Sequence, residues 1–86
     1  MPTISIFYGI FIRMYYDEHP PPHFHAYYED FEVMIAIKTL EVLKGSFPPR
    51  ALGMVIEWAF QYRQELQHNW DLAEKHFPLN KIKPLG

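Results

Sequence analysis

The hydrophobic pattern of the chain changes its period near Gly45. Before this residue, apolar side chains alternate with polar ones in short runs rich in Ile, Phe, Tyr and Val, and turn-forming residues separate the runs. Alternation with period two places successive side chains on opposite faces of a β-strand. The pattern predicts strands near residues 3–7, 10–16, 23–28 and 32–38, and a fifth near residues 40–43.

Beyond this point the apolar residues recur at steps of three and four, which is the spacing of an amphipathic helix. Pro49 suits the first turn of such a helix, and Pro78 ends it. We therefore expect one continuous helix of about seven turns. Its predicted apolar stripe contains Leu52, Val55, Ile56, Ala59, Tyr62, Leu66, Trp70 and Ala73. Trp58 and Phe60 lie outside the stripe, where they would meet the sheet edge, the C-terminal tail or a second subunit.

Together these elements predict an α+β fold in a single domain, residues 1–86. A small antiparallel meander of four to five strands (residues 1–45) is covered on one face by one long C-terminal α-helix (residues 46–77), and a tail (residues 78–86) follows. The helix-side layer is predicted to contain Ile4, Ile6, Ile10, Ile12, Met14, Phe24, Ala26, Val33, Ile35 and Ile37. The opposite layer is predicted to contain Ser5, Phe7, Phe11, Arg13, Tyr15, His23, His25, Tyr27, Glu32, Met34 and Lys38. Because one helix covers only one face, this second layer stays open, and its mixed chemistry makes it the expected place of function.

Composition and charge narrow the function classes. The 86 residues are 49% hydrophobic and 17% aromatic and include no cysteine, which excludes thiol chemistry and fits a reducing cytoplasm. The net charge is −2, but residues 1–37 carry five acids and a single base, Arg13. Because nucleic-acid affinity depends on Lys and Arg that neutralise phosphates, we expect no nucleic-acid partner. Arg13 and Asp17 interrupt the first apolar stretch before it could span a bilayer, so we expect a cytoplasmic protein with no membrane partner.

Three of the five histidines lie in the stretch DEHPPPHFHAY, residues 17–27. His23 and His25 alternate on one predicted strand, so both rings point to the same side at a spacing that one ion can bridge. The stiff proline run could return His19, or the two acids before it, to complete the ligand set. The stretch therefore gives, as an alternative function, a zinc, nickel or copper site at His19, His23 and His25. The interpretation that the sequence favours is that the prolines form a rigid bend and the histidines are structural hydrogen-bonding residues.

The open sheet face has the composition of a protein-interaction surface, because Tyr, Phe, Met and Arg are enriched at interfaces. Its predicted binding residues are Phe11, Arg13, Tyr15, His23, His25 and Tyr27. We expect the protein to be a protein-interaction module that forms a homodimer or a complex with a small protein partner. We expect it to require no cofactor. A further alternative is a metal-independent ribonuclease, in which His23 or His25 is the general base and Arg13 or Lys38 stabilises phosphate charge. The shortage of basic residues argues against it, so the sequence favours binding over catalysis.

Several stretches of the chain carry a family resemblance. They are MPTI, DEHPPPHFH, VLKGSFPPRAL, IEWAFQYRQELQHNW and IKPL. Together they resemble the bacterial family known as domain of unknown function 4160. The resemblance implies a prokaryotic cytosolic protein that is often encoded beside another small protein, in arrangements similar to toxin–antitoxin gene pairs. It implies no activity for any particular residue.

Overall fold

The structure, a computed structural model, describes residues 2–86. It contains five strands and two helices. The strands are β1 (Thr3–Phe7), β2 (Ile10–Arg13), β3 (His23–Tyr28), β4 (Phe31–Ala36) and β5 (Val42–Ser46), and the helices are α1 (Pro49–Gln61) and α2 (Arg63–Glu74). The strands form one antiparallel sheet in the order β1-β2-β3-β4-β5. The predicted α+β meander is therefore confirmed.

Three strands differ in position from the prediction. β4 ends at Ala36, two residues earlier than predicted, and for β2 and β5 a residue with positive φ lies nearby. β2 ends at Arg13, and the chain then leaves the sheet through a turn in which Asp17 has φ of 63°. The chain after β4 turns at Leu40, where φ is 62°, so β5 begins at Val42. Non-glycine residues in this left-handed region occur mainly in turns, and the hydrophobic pattern gives no sign of them.

The predicted assignment of side chains to the two sheet faces is correct for the inner strands and wrong for part of β1. Ile6 is 52% exposed, whereas Phe7 and Ser5 are buried. A bulge between Thr3 and Ser5 shifts the register, so that Ser5 pairs with Ile12 and Phe7 with Ile10. An extra residue in one strand reverses the faces of the residues beyond it. Ser5 and Phe7 therefore belong to the helix-side layer, and Ile6 belongs to the open face.

The prediction of one long helix is wrong, because the helical segment divides at Tyr62. This residue has φ of −114° and ψ of 25°. Its N–H still donates to Trp58 O at 3.1 Å, and its carbonyl still accepts from Leu66 N–H at 2.9 Å. The bend lets α2 turn towards the end of the sheet, where Arg63 Nε donates to Ile37 O at 3.1 Å. The main-chain hydrogen bonds continue on both sides of Tyr62. The sequence has no glycine or proline at this position to mark the bend.

Trp58 is fully buried, although it lies outside the predicted stripe. Its ring lies 5.3 Å from the Phe7 ring and 6.0 Å from the Phe24 ring. Its indole N–H donates to Lys83 O at 2.8 Å, so it does meet the C-terminal tail. The tail also docks on β1, where Ile82 N–H donates to Ile4 O at 2.8 Å.

Asn69 is a second anchor for the tail, and it is buried on α2. Its side chain donates to Asn80 O and accepts from Asn80 N–H, both at 2.9 Å. Within residues 2–86, neither helix has the length and apolar character needed to cross a membrane.

Candidate functional site

The site lies at the start of β3, on the sheet face opposite α1. His23 and His25 alternate on this strand and share a face, as the period predicts, but both are buried, with exposures of 3% and 6%. Tyr15, which follows β2, presents its ring edge-on to His25 at 4.8 Å. Trp70 of α2 lies 5.2 Å from the His23 ring. The bend at Tyr62 directs α2 towards this end of the sheet. Tyr15 was predicted to lie at the end of the second strand, whereas the contact of Trp70 with His23 depends on the bend and was not predicted.

Glu18 joins the two histidines into one cluster. Its Oε1 lies 3.0 Å from His23 Nε2 and 2.7 Å from His25 Nε2. The three residues can each offer one ligand atom, and these atoms lie within 4.8 Å of one another. The Glu18 side chain is 26% exposed, so the cluster meets solvent on the carboxylate side.

The remaining ring nitrogens also face oxygen atoms. His23 Nδ1 lies 2.8 Å from Pro21 O, and His25 Nδ1 lies 3.4 Å from Glu32 Oε2. A neutral imidazole carries one N–H, and neither a carbonyl nor a carboxylate can donate. Two neutral rings therefore supply two protons for four contacts with acceptors. The cluster requires additional positive charge, from protons or from a cation, to satisfy all four contacts.

Two tyrosines extend the cluster along the sheet. The Tyr15 and Tyr27 hydroxyls lie 2.5 Å apart, and Tyr27 lies opposite Glu32 on the neighbouring strand. Burial, the contact with Tyr15 and the nearby Glu32 carboxylate raise the pKa of Tyr27 well above its ordinary value. Tyr27 therefore stays neutral across the physiological range and can donate a hydrogen bond.

The structure separates the residues of the DEHPPPHFHAY stretch. His19 is exposed and lies outside the group formed by Glu18, His23 and His25. Asp17 points elsewhere, with its Oδ1 3.0 Å from His76 Nε2 in an exposed pair. The carboxylate that reaches the histidines is Glu18, one of the two acids that the sequence offered as alternatives to His19. Its nearness to the proline run is the only sequence signal for it.

The other predicted binding residues form a partly exposed patch beside the cluster. Phe11 is 38% exposed and pairs across the strands with Tyr27. The Arg13 guanidinium lies 5.6 Å from the Phe11 ring centre and 5.1 Å from that of Tyr27. The six predicted residues thus divide into the buried pair of histidines, Tyr15 covering His25, and this aromatic patch with its arginine.

Two open pockets border Glu18. One, of about 210 Å³, is lined by Tyr15, Asp17, Glu18, Trp70, Ala73 and Glu74. The other, of about 390 Å³, is lined by Glu18, His19, Pro20, Pro21, His23, Met34, Leu43 and Lys44. A small ion or molecule can therefore approach the cluster from solvent on either side of the carboxylate.

These features define a small α+β protein with a buried His/Glu cluster at one end of its sheet. A family model described as domain of unknown function (DUF4160) matches residues 9–71, which include the cluster and most of the two helices. The chain belongs to this family. Neither the curated proteins nor the solved structures include a significant match.

Proposed function

We propose that the protein binds one divalent transition metal ion, such as Zn²⁺, Ni²⁺ or Cu²⁺, through Glu18, His23 and His25. The observation that carries the proposal is the proton shortage of the cluster, in which all four ring nitrogens face oxygen acceptors. A cation among the two Nε2 atoms and the carboxylate removes the shortage. Each Nδ1 then keeps its proton and donates it to the oxygen it already faces.

The geometry of the cluster is close to that of a metal site. In a tetrahedral zinc site with bonds of roughly 2.0–2.2 Å, neighbouring ligand atoms lie roughly 3.3–3.6 Å apart. The Glu18 contacts of 3.0 Å and 2.7 Å are shorter, and the three ligand atoms lie within 4.8 Å of one another. Metal binding therefore requires shifts of about 1 Å among these side chains, including withdrawal of the carboxylate. Glu18 lies in a loop and is partly exposed, which makes its withdrawal easier than a shift of either histidine.

The donors also match the chemistry of these metals. Two imidazoles and one carboxylate suit zinc, nickel and copper. Ligating histidines usually donate their second ring N–H to a carbonyl or a carboxylate, and Pro21 O and Glu32 occupy those positions. Three protein ligands leave a coordination position for water or another small ligand, and the pockets beside Glu18 give access to it.

Calorimetric titration with zinc, nickel and copper tests the proposal. We expect wild type to bind one ion per chain and the double variant His23→Ala/His25→Ala to lose this binding. His68→Ala, which removes an exposed histidine on α2, is the matched control and should bind as wild type does. His19→Ala examines the remaining predicted ligand and should have little effect. Equal heats for wild type and the double variant would refute the metal site.

A second candidate function is protein interaction, through a homodimer or a small protein partner. The support is the apolar surface of the open face and the β5 edge, where Ile6, Phe11 and Leu43 are 52%, 38% and 43% exposed. Light scattering over a range of concentrations tests self-association, with Phe11→Ser as the variant expected to weaken it. A strict monomer at high concentration would refute self-association. Binding to a separate protein, such as a neighbouring gene product in a toxin–antitoxin-like pair, would then be the remaining form of this candidate.

A further inference from the structure

The two histidines of the cluster are oriented by different kinds of partner. His23 Nδ1 faces Pro21 O, a main-chain atom, at 2.8 Å. His25 Nδ1 faces Glu32 Oε2, a side-chain atom on the neighbouring strand β4, at 3.4 Å. A main-chain partner persists whatever the side chain, whereas a side-chain partner sets the properties of the ring it contacts. His25 is therefore the histidine whose proton position depends on a particular residue.

Glu32 lies near the two tyrosines that extend the cluster. It lies opposite Tyr27 on the neighbouring strand, and the Tyr27 hydroxyl lies 2.5 Å from that of Tyr15. The Tyr15 ring meets His25 edge-on at 4.8 Å. Glu32 is thus the carboxylate beside His25 Nδ1 in a group that also contains Tyr15 and Tyr27.

We propose that Glu32 is the positioning residue that keeps the His25 proton on Nδ1 and so directs Nε2 to the metal. This inference rests on the proposed metal function. Without Glu32, the neutral ring is free to carry its proton on Nε2, where the proton would occupy the position of the ion. A carboxylate partner also makes the ring a better donor to a metal.

A purely structural role for Glu32 makes a different prediction. Glu32 is the cross-strand partner of Tyr27, and its side chain is 54% exposed. If it served only to pair the strands, its replacement would change stability by the small amount typical of such pairs. Metal affinity would then be unchanged, so affinity and stability together distinguish the two roles.

The test compares zinc affinities, measured by competition with a chromophoric chelator, in the full chain. Glu32→Val should weaken binding roughly 10- to 100-fold, as is typical when such a partner of a ligand is lost. Glu32→Gln should lose less, because its amide oxygen still accepts from Nδ1–H. Glu41→Val, which removes an exposed glutamate from the turn before β5, is the matched control and should bind as wild type does.

Nitrogen-15 spectra of the zinc-loaded protein supply the second measurement. In wild type, the His25 Nδ1–H signal should be sharp and slow to exchange with water, and in Glu32→Val it should broaden. If Glu32→Val does not fold, Glu32→Gln takes its place, with a smaller loss expected. Tight zinc binding by wild type with equal affinity in the Glu32 variants would overturn the role of Glu32 alone. Equal zinc affinity in wild type and His23→Ala/His25→Ala would overturn the metal site itself.

Discussion

The two faces of the sheet are held together in different ways. The face under α1 is closed by apolar area, with residues such as Ile12, Phe24 and Trp58 fully buried. At the His/Glu cluster the open face also buries side chains, but these are polar, and they depend on specific contacts among Glu18, His23 and His25. Apolar burial is non-directional and scales with area, whereas a buried polar group is costly unless its partners are in place. The first face should therefore respond to changes in volume and the second to changes in charge or proton number.

The largest expected effect is on the apolar face. Trp58→Ala should lower the free energy of unfolding by roughly 3–5 kcal/mol, because it removes a fully buried aromatic ring from the core. Phe60→Ala is the matched control, since Phe60 lies two residues away and is 67% exposed. It should change stability by about 0.5 kcal/mol or less. Urea unfolding measures both, and similar losses would mean that the burial of Trp58 is misassigned.

The next effect concerns the cluster and appears only with metal. At a zinc concentration one hundred times the dissociation constant, wild type should gain about 2.7 kcal/mol of stability. Glu18→Ala should gain far less, because it lacks one of the three ligands. Thermal unfolding with and without zinc measures the gain, and Glu57→Ala, an exposed glutamate on α1, is the control. A zinc effect of the same size in Glu18→Ala would show that the ion binds elsewhere.

The third prediction tests whether the helix-covered side also depends on polar contacts. Asn69→Ala should cost about 1–3 kcal/mol, because it leaves the main-chain N–H and C=O of Asn80 without partners. His68→Ala on the same helix should be nearly neutral, since this side chain is exposed. Hydrogen exchange should also become faster in the tail around Ile82. Unchanged exchange there would contradict the role of Asn69 as an anchor.

The smallest effect is a pH dependence at Tyr27. Its pKa is raised by burial, by its contact with Tyr15 and by the nearby Glu32 carboxylate, so the folded protein keeps this proton where the unfolded chain loses it. The contribution to stability is complete below the ordinary tyrosine pKa of about 10 and falls as the pH rises above it. Urea unfolding between pH 9 and about pH 11 should show a steeper loss for wild type than for Tyr27→Phe. Parallel curves would mean that Tyr27 ionises equally easily in both states.

The sequence predicted most of the apolar face because periodicity reports burial directly. It failed at Ile6 and Phe7, where a bulge reverses the faces, and at Tyr62, where the chain bends without a glycine or proline. Both features depend on which strand or turn lies opposite, and a single chain pattern does not encode this. The same limit applied to the cluster. Alternation placed His23 and His25 together, but the folding of the proline segment decides that Glu18 meets them while His19 stays exposed.

The docked tail leaves the sheet with two unlike edges. On the outer side of β1, Ile4 O accepts from Ile82 N–H and Thr3 O accepts from Lys81 Nζ, so part of that edge is already occupied. Among residues 2–86, β5 pairs only with β4, and all five of its residues are exposed. Unpaired strand edges are where further chains add to a sheet. A strand from another molecule therefore finds a free edge at β5 but an obstructed one at β1. We therefore expect any strand pairing between two molecules to use β5 and to leave the partly occupied β1 edge without a further strand.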